Sequence, residues 1–167
     1  MTEPSGQDRR LNDLERELTL LSRHFIASRG PRIGQSLDRS AYVLLTRLET
    51  GAPLTLKELA HTFQADVSTI NRQMSTMLRH GLVERIDAAA KGGARTFRPT
   101  PLGLERLEAD RTISRAGAAR LIDAAGWDED RTQQFLTLMV EFNHGIEQLE
   151  GLAWNHSARA GDPPAAE

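Results

Sequence analysis

Residues Asp66-Val67-Ser68-Thr69-Ile70-Asn71-Arg72-Gln73-Met74-Ser75-Thr76-Met77-Leu78-Arg79-His80-Gly81-Leu82 carry two patterns at once. Ile70, Met74, Met77 and Leu78 recur at helical spacing and form an apolar stripe that faces a core. The other face carries Ser68, Asn71, Arg72, Ser75, Thr76 and Arg79, with no acid between Asp66 and Arg79. An ordinary solvated face mixes Glu with Lys, and taken singly Arg72 and Arg79 would read as exposed helix residues. Together with hydroxyls and an amide, and without carboxylates for phosphate to repel, they suit a DNA major groove. Asp66 or Ser68 is placed to cap the start. Gly81 followed by Leu82 fits a Schellman ending, with glycine left-handed and leucine packing back.

Working outward, Thr55 and Glu58 have the spacing of a capping box and open a short helix through Leu59, Ala60 and Phe63. Gln64-Ala65 is then the turn into the quoted stretch, and the three parts make a helix-turn-helix. After Gly81 the period changes from helix to strand. Leu82 to Asp87 alternates apolar and polar residues, Lys91-Gly92-Gly93 supplies a turn, and Arg95 to Arg98 forms a second short strand, so that a hairpin with a basic tip follows as a wing. Thr100-Pro101 restarts a helix, cap then first-turn proline. Between Asp66 and Thr100 the bases Arg72, Arg79, Arg85, Lys91, Arg95 and Arg98 outnumber Asp66, Glu84 and Asp87, although the whole chain has a formal net charge of −2. A nucleic-acid surface can be local in this way.

The flanks are helical. Leu11, Leu14, Leu18, Leu21 and Phe25 mark a first amphipathic helix ending near Gly30-Pro31. Ser36 or Asp38 caps a second, carrying Tyr42, Val43, Leu45 and Leu48 and stopped by Gly51 and Pro53. Beyond the wing, Leu104, Leu107, Ile113, Leu121 and Ile122 mark a long helix ended by Gly126. Phe135, Leu138, Met139, Phe142, Ile146, Leu149 and Leu152 form a last apolar stripe. The fold expected is mainly α, with a winged helix-turn-helix lobe at 36–100 and a helical region at 9–30 and 101–155. Residues 1–8 and 156–167 lack periodicity and are expected to be disordered tails.

Composition narrows the chemistry. At 167 residues the chain can bury a real core, and the absence of cysteine excludes disulfides, thiolate metal sites, iron–sulfur ligation and a thiol redox switch. No apolar run approaches the ~20 residues needed to cross a bilayer, and the amino terminus has no signal-peptide pattern, so no membrane partner and a cytoplasmic location are expected. His24, His61, His80, His144 and His156 are scattered, which predicts no metal site. There is no phosphate-binding glycine loop and no Gly-x-Ser-x-Gly elbow, so neither catalytic residues nor a cofactor are predicted, and an enzyme is not expected.

The order of these elements resembles the MarR family of bacterial winged-helix transcriptional regulators. The resemblance is carried by Leu56-x-Glu58-Leu59-Ala60, Ser68-Thr69-Ile70-Asn71-Arg72, His80-Gly81-Leu82-Val83-Glu84-Arg85 and Thr100-Pro101-x-Gly103, and it spans the chain from about Leu11 to about Leu152. It implies that Ser68, Thr69, Asn71 and Arg72 sit at or near base edges, with Ser75 and Arg79 toward phosphates, and that Thr55 and Lys57 approach phosphate at the start of the preceding helix. The family's wing commonly carries an Asp-x-Arg or Asp-Arg-Arg segment where this chain has Ala90-Lys91-Gly92-Gly93. No wing arginine is therefore carried over, and Lys91, Arg95 and Arg98 remain as its positive charge.

The terminal stripes resemble the family's dimerisation region, which implies a homodimer with two recognition helices about one DNA turn apart, roughly 34–36 Å, on an inverted repeat. The resemblance further implies a repressor released by a small-molecule effector, with His24 and Tyr42 near the place where the family forms its effector pocket. A reading of another class is an all-helical dimeric module that uses the winged lobe to hold another protein. The acid-free face of the quoted helix speaks against it.

Overall fold

A computed structural model describes residues 5–27, 34–88 and 94–151. In chain order these form α1 (Gly6–Ala27), α2 (Arg39–Glu49), β1 (Leu54–Thr55), α3 (Leu56–Thr62), α4 (Val67–Arg79), β2 (Val83–Ala88), β3 (Ala94–Pro99), α5 (Pro101–Ala125) and α6 (Glu129–Glu150).

The buried residues gather in one lobe. Ala41, Leu44, Leu45 and Leu48 of α2 meet Leu59 and Ala60 of α3, Ile70, Met74 and Met77 of α4, Leu82, Val83 and Phe97 of the hairpin, and Leu107 of α5. Each large apolar side chain buried there contributes roughly 1.5–3 kcal/mol, so this cluster is what fixes α4 against the lobe. The antiparallel sheet has the order β1-β3-β2. Its β1 is only two residues, pairing Leu54 with Phe97 and Thr55 with Thr96, and is too short to show in the sequence as a strand.

Local signals decide the helix ends. Asp38 caps α2, its Oδ1 accepting the Ala41 N–H at 2.8 Å. Thr55 and Glu58 form the reciprocal box on α3, at 3.2 and 2.7 Å. The turn between α3 and α4 closes with Ala65 N–H on Ala60 C=O and Gln64 N–H on His61 C=O, which puts Gln64 at φ 46°. At the far end of α4, Gly81 sits at φ 67°, its N–H on Leu78 C=O and the Leu82 N–H on Met77 C=O, so the expected Schellman ending is present. Asp66 is the N-cap of α4 but makes no side-chain capping bond.

One boundary needs correcting. Residues 6–8 fall in the expected tail but are helical, because Ser5 and Asp8 cap each other: Asp8 N–H donates to Ser5 Oγ at 3.1 Å and Ser5 N–H to Asp8 Oδ2 at 2.9 Å. These bonds hold the Asp8 carboxyl below its ordinary range. The His24 side chain, Lys91, the expected end of the first helix near Gly30, Leu152 and the tail at 156–167 lie outside the described residues.

The remaining helices hold most of their apolar surface away from the lobe. Leu11, Leu14, Leu18 and Leu21 of α1 are 39–55% exposed, and on α6 Phe135, Leu138, Phe142 and Ile146 are 42–56% exposed. No residue described on α6 is buried. Apolar stripes of this length, left uncovered by the described residues, are the kind of surface that marks an interaction site.

Candidate nucleic-acid interface

Ser68, Asn71, Arg72 and Arg79 are all exposed on one side of α4, opposite the buried Ile70, Met74 and Met77. Ser75 is half-buried on the same side. Beside it a groove of about 860 Å³ runs between α4 and β2, lined by Arg72, Ser75, Thr76, Leu78, Arg79, Val83, Glu84 and Arg85. Arg79 Nη2 donates to Thr76 Oγ1 at 3.1 Å, and that hydroxyl donates to the Arg72 carbonyl at 3.2 Å, so the two arginines are linked through one threonine.

Glu84, the one acid among the described lining residues, does not leave the groove neutral. It is paired across the hairpin with Arg98, the two standing in register and bonded Nε to Oε1 at 2.6 Å. Three guanidinium groups therefore face the groove, with its carboxylate already compensated. Arg98, expected at DNA, is held by this pair. Arg85 was not among the residues expected at DNA, although the alternation Val83-Glu84-Arg85 places it on the same strand face as the groove-lining Val83. Its guanidinium lies 6.0 Å from the Phe97 ring centroid, directly across the sheet, which steadies it.

The other expected residues are dispersed around this surface. Thr69 is half-buried and turned toward a second cleft of about 600 Å³ with Asp38, Arg39, Ser40, Val43, Phe63 and Gln73. Thr55 is half-buried with its hydroxyl accepting the Glu58 N–H, while Lys57 is exposed on α3. Arg95 is exposed near the start of β3. Tyr42 is half-buried against the core, its carbonyl accepting the Thr46 hydroxyl at 2.9 Å. Among the described residues no three His, Asp or Glu side chains gather as a metal site, and no helix is long and apolar enough to cross a membrane.

A capped short helix, a tight turn, a second helix with a basic polar outer face and an antiparallel hairpin beside it define a winged helix-turn-helix DNA-binding protein. Residues 37–88 match the model of the MarR family. The chain is 35% identical over 99 residues, 58% of its own length and 68% of the relative's, to the uncharacterized HTH-type transcriptional regulator YxaD of Bacillus subtilis (strain 168). The chain belongs to the MarR family and is a DNA-binding transcriptional regulator.

Solved structures agree on the fold. A MarR family protein from Bacillus stearothermophilus superposes with a TM-score of 0.72 at 18% identity, covering 87% of this chain and 98% of that one. Staphylococcus aureus MarR in complex with salicylate and kanamycin gives 0.69 at 15% identity, covering 87% and 96%. A DNA complex of S. aureus MepR gives 0.58 at 16% identity, covering 77% and 93%.

Proposed function

We propose that this protein is a cytoplasmic homodimeric repressor that binds a short inverted repeat through α4 and leaves it when a small molecule binds. The observation that carries the reading is the acid-free outer face of α4 beside a groove in which the Glu84 carboxylate is neutralised by Arg98. Ser68, Asn71 and Arg72 meet base edges, arginine pairing with guanine and asparagine with adenine, each good bidentate pair giving about 1–3 kcal/mol of discrimination. Arg79, Arg85, Ser75 and Lys57 meet phosphate. Thr55, Thr69, Lys91, Arg95 and Arg98 are secondary, since Thr55 and Arg98 already have partners and Thr69 faces the other cleft.

The dimer rests on the uncovered stripes of α1 and α6, which a second copy covers by two-fold symmetry. The salicylate complex of the S. aureus relative supports an aromatic anion as the class of effector. Such a ligand acts by favouring a dimer geometry in which the two α4 helices no longer fit successive turns of DNA. Tyr42, and His24 on α1, are the residues offered for its pocket. No catalytic step is assigned.

Selection of bound sequences from a random duplex library, at near-physiological salt, tests the reading. Enrichment of an inverted repeat with half-site centres about one turn apart supports it, and loss of binding on titrating salicylate supports the effector class. A folded, dimeric protein that enriches no repeat is instead a protein-binding module.

A further inference from the structure

Asp110 and Arg111 are neighbours on α5, and between them they hold both ends of α2. Asp110 is only 1% exposed, and its two carboxylate oxygens accept the Ser36 N–H at 3.0 Å and the Leu37 N–H at 2.9 Å, just ahead of α2. A carboxylate is tolerated at such depth because each oxygen receives a backbone donor. Arg111 reaches the opposite end. Its Nη1 donates to Glu49 Oε1 at 3.0 Å and its Nη2 pairs with Glu49 Oε2, Glu49 being the last residue of α2. Both side chains are more than three-quarters buried, so the two-point contact is screened far less than a surface pair.

The grip continues for one more turn. Ser114 Oγ accepts from Gln35 Nε2 at 3.1 Å, and Ile113 Cδ1 lies 3.5 Å from where a Cβ on Gly34 would stand, an ordinary contact distance. Past Ser114, every residue from 115 to 125 except Gly117 and Ile122 is exposed, so α5 leaves the lobe there. Helix α2 also packs against α4, with Leu44 and Ile70 in one core. Helix α2 thus touches both the reading helix and α5.

We infer that Asp110 and Arg111 are positioning residues for DNA binding, setting the angle at which α5 leaves the winged lobe and so the separation of the two α4 helices. The inference rests on the dimeric DNA-binding reading above. From Arg111 to the end of α5 is a lever of roughly 21 Å at 1.5 Å per residue. A tilt of about 10° at its base moves the far end by about 3.7 Å, close to the ~3.4 Å rise of one base pair. A small change at the grip is therefore a whole register step on DNA.

The test uses the full chain and the inverted repeat recovered by selection, presented at its native spacing, lengthened and shortened by one base pair, and as a single half-site. The readout is the ratio of affinities for native and altered spacing. Arg111→Met is expected to lower that ratio at least about threefold, while affinity for the single half-site stays within about twofold of wild type. Arg111→Lys, which keeps a one-point contact, should stay nearer wild type. Asp110→Asn, in which only one oxygen remains to accept, should lower the ratio as Arg111→Met does. A folded, dimeric Arg111→Met that keeps the wild-type ratio overturns the inference alone, whatever Asp110→Asn does. A wild type with no spacing preference overturns the dimeric DNA reading and this inference with it.

Discussion

Glu84 on β2 and Arg98 on β3 stand opposite each other, and the Arg98 Nε donates to Glu84 Oε1 at 2.6 Å at the edge of the α4 groove. The side chains are 44% and 56% exposed, so the pair does little for stability, within about 0.5–1 kcal/mol. Its effect is on the field that a phosphate meets. Arg98→Gln should weaken DNA binding about threefold to tenfold at low ionic strength and less at high, whereas Glu84→Gln should strengthen it. Fluorescence anisotropy with a labelled operator at two salt concentrations measures both. Equal affinities for the two variants would sink the idea.

Arg72 and Arg79 should separate by kind of effect. Arg72→Ala is expected to cost about 1–3 kcal/mol on the selected site and to relax preference at one position of each half-site. Arg79→Ala should weaken specific and random DNA alike and reduce the magnitude of the log–log salt slope by about 1 for each phosphate that the guanidinium no longer neutralises. Repeating the library selection with Arg72→Ala, and salt titrations with both, distinguishes base reading from phosphate anchoring.

Gly103 has no room for a side chain. A Cβ there would lie 2.0 Å from the Leu82 carbonyl oxygen and 3.3 Å from Leu45 Cδ2, and that carbonyl is already held by the Thr100 N–H at 3.0 Å. Gly103→Ala must therefore push the first turn of α5 off the hairpin. The expected loss is on the order of 3 kcal/mol or more, seen as a lowered Tm or insoluble protein. A variant that melts with the wild type would show that this junction can yield.

Acid should loosen the cap of α2. Burial pushes the Asp38 carboxyl up, but the Ala41 N–H, the Ser40 hydroxyl and N–H, and nearby His80 together outweigh it and hold the group below its ordinary value. Since the folded pKa is the lower one, the stabilisation is complete above about pH 4 and is lost as pH falls through the depressed folded value. Asp8, held down by Ser5, and Glu108, held down first by Arg115, act in the same direction. Asp38→Asn keeps a capping oxygen while removing the titration, so thermal melts from about pH 5 to pH 2 should show a flatter acid limb than wild type. Identical limbs would place the acid sensitivity elsewhere.

The winged lobe was legible because its signals are local. Thr55 and Glu58 sit three residues apart, Gly81 follows its helix directly, and the stripe of Ile70, Met74 and Met77 needs only helical geometry to be seen. Asp110 was not legible. It lies in the charged run Glu105 to Arg111, and only contact with Ser36 and Leu37, more than seventy residues away in sequence, makes it a buried acceptor. Arg98 illustrates the same limit, since its pairing with Glu84 depends on the strand register. Along α5, Leu104 and Leu121 fit the apolar spacing yet are 39% and 73% exposed, because periodicity records an apolar face but not which chain covers it.

Through the dimer proposed above, the uncovered stripes of α1 and α6 also shape how the regulator responds to gene dosage. Where the chain is scarce enough for its copies to separate, paired molecules scale with the square of chain concentration, and halving synthesis reduces them about fourfold. Operator occupancy then falls more steeply than protein level. For the repressor proposed above, a modest drop in expression, with no ligand present, is enough to derepress.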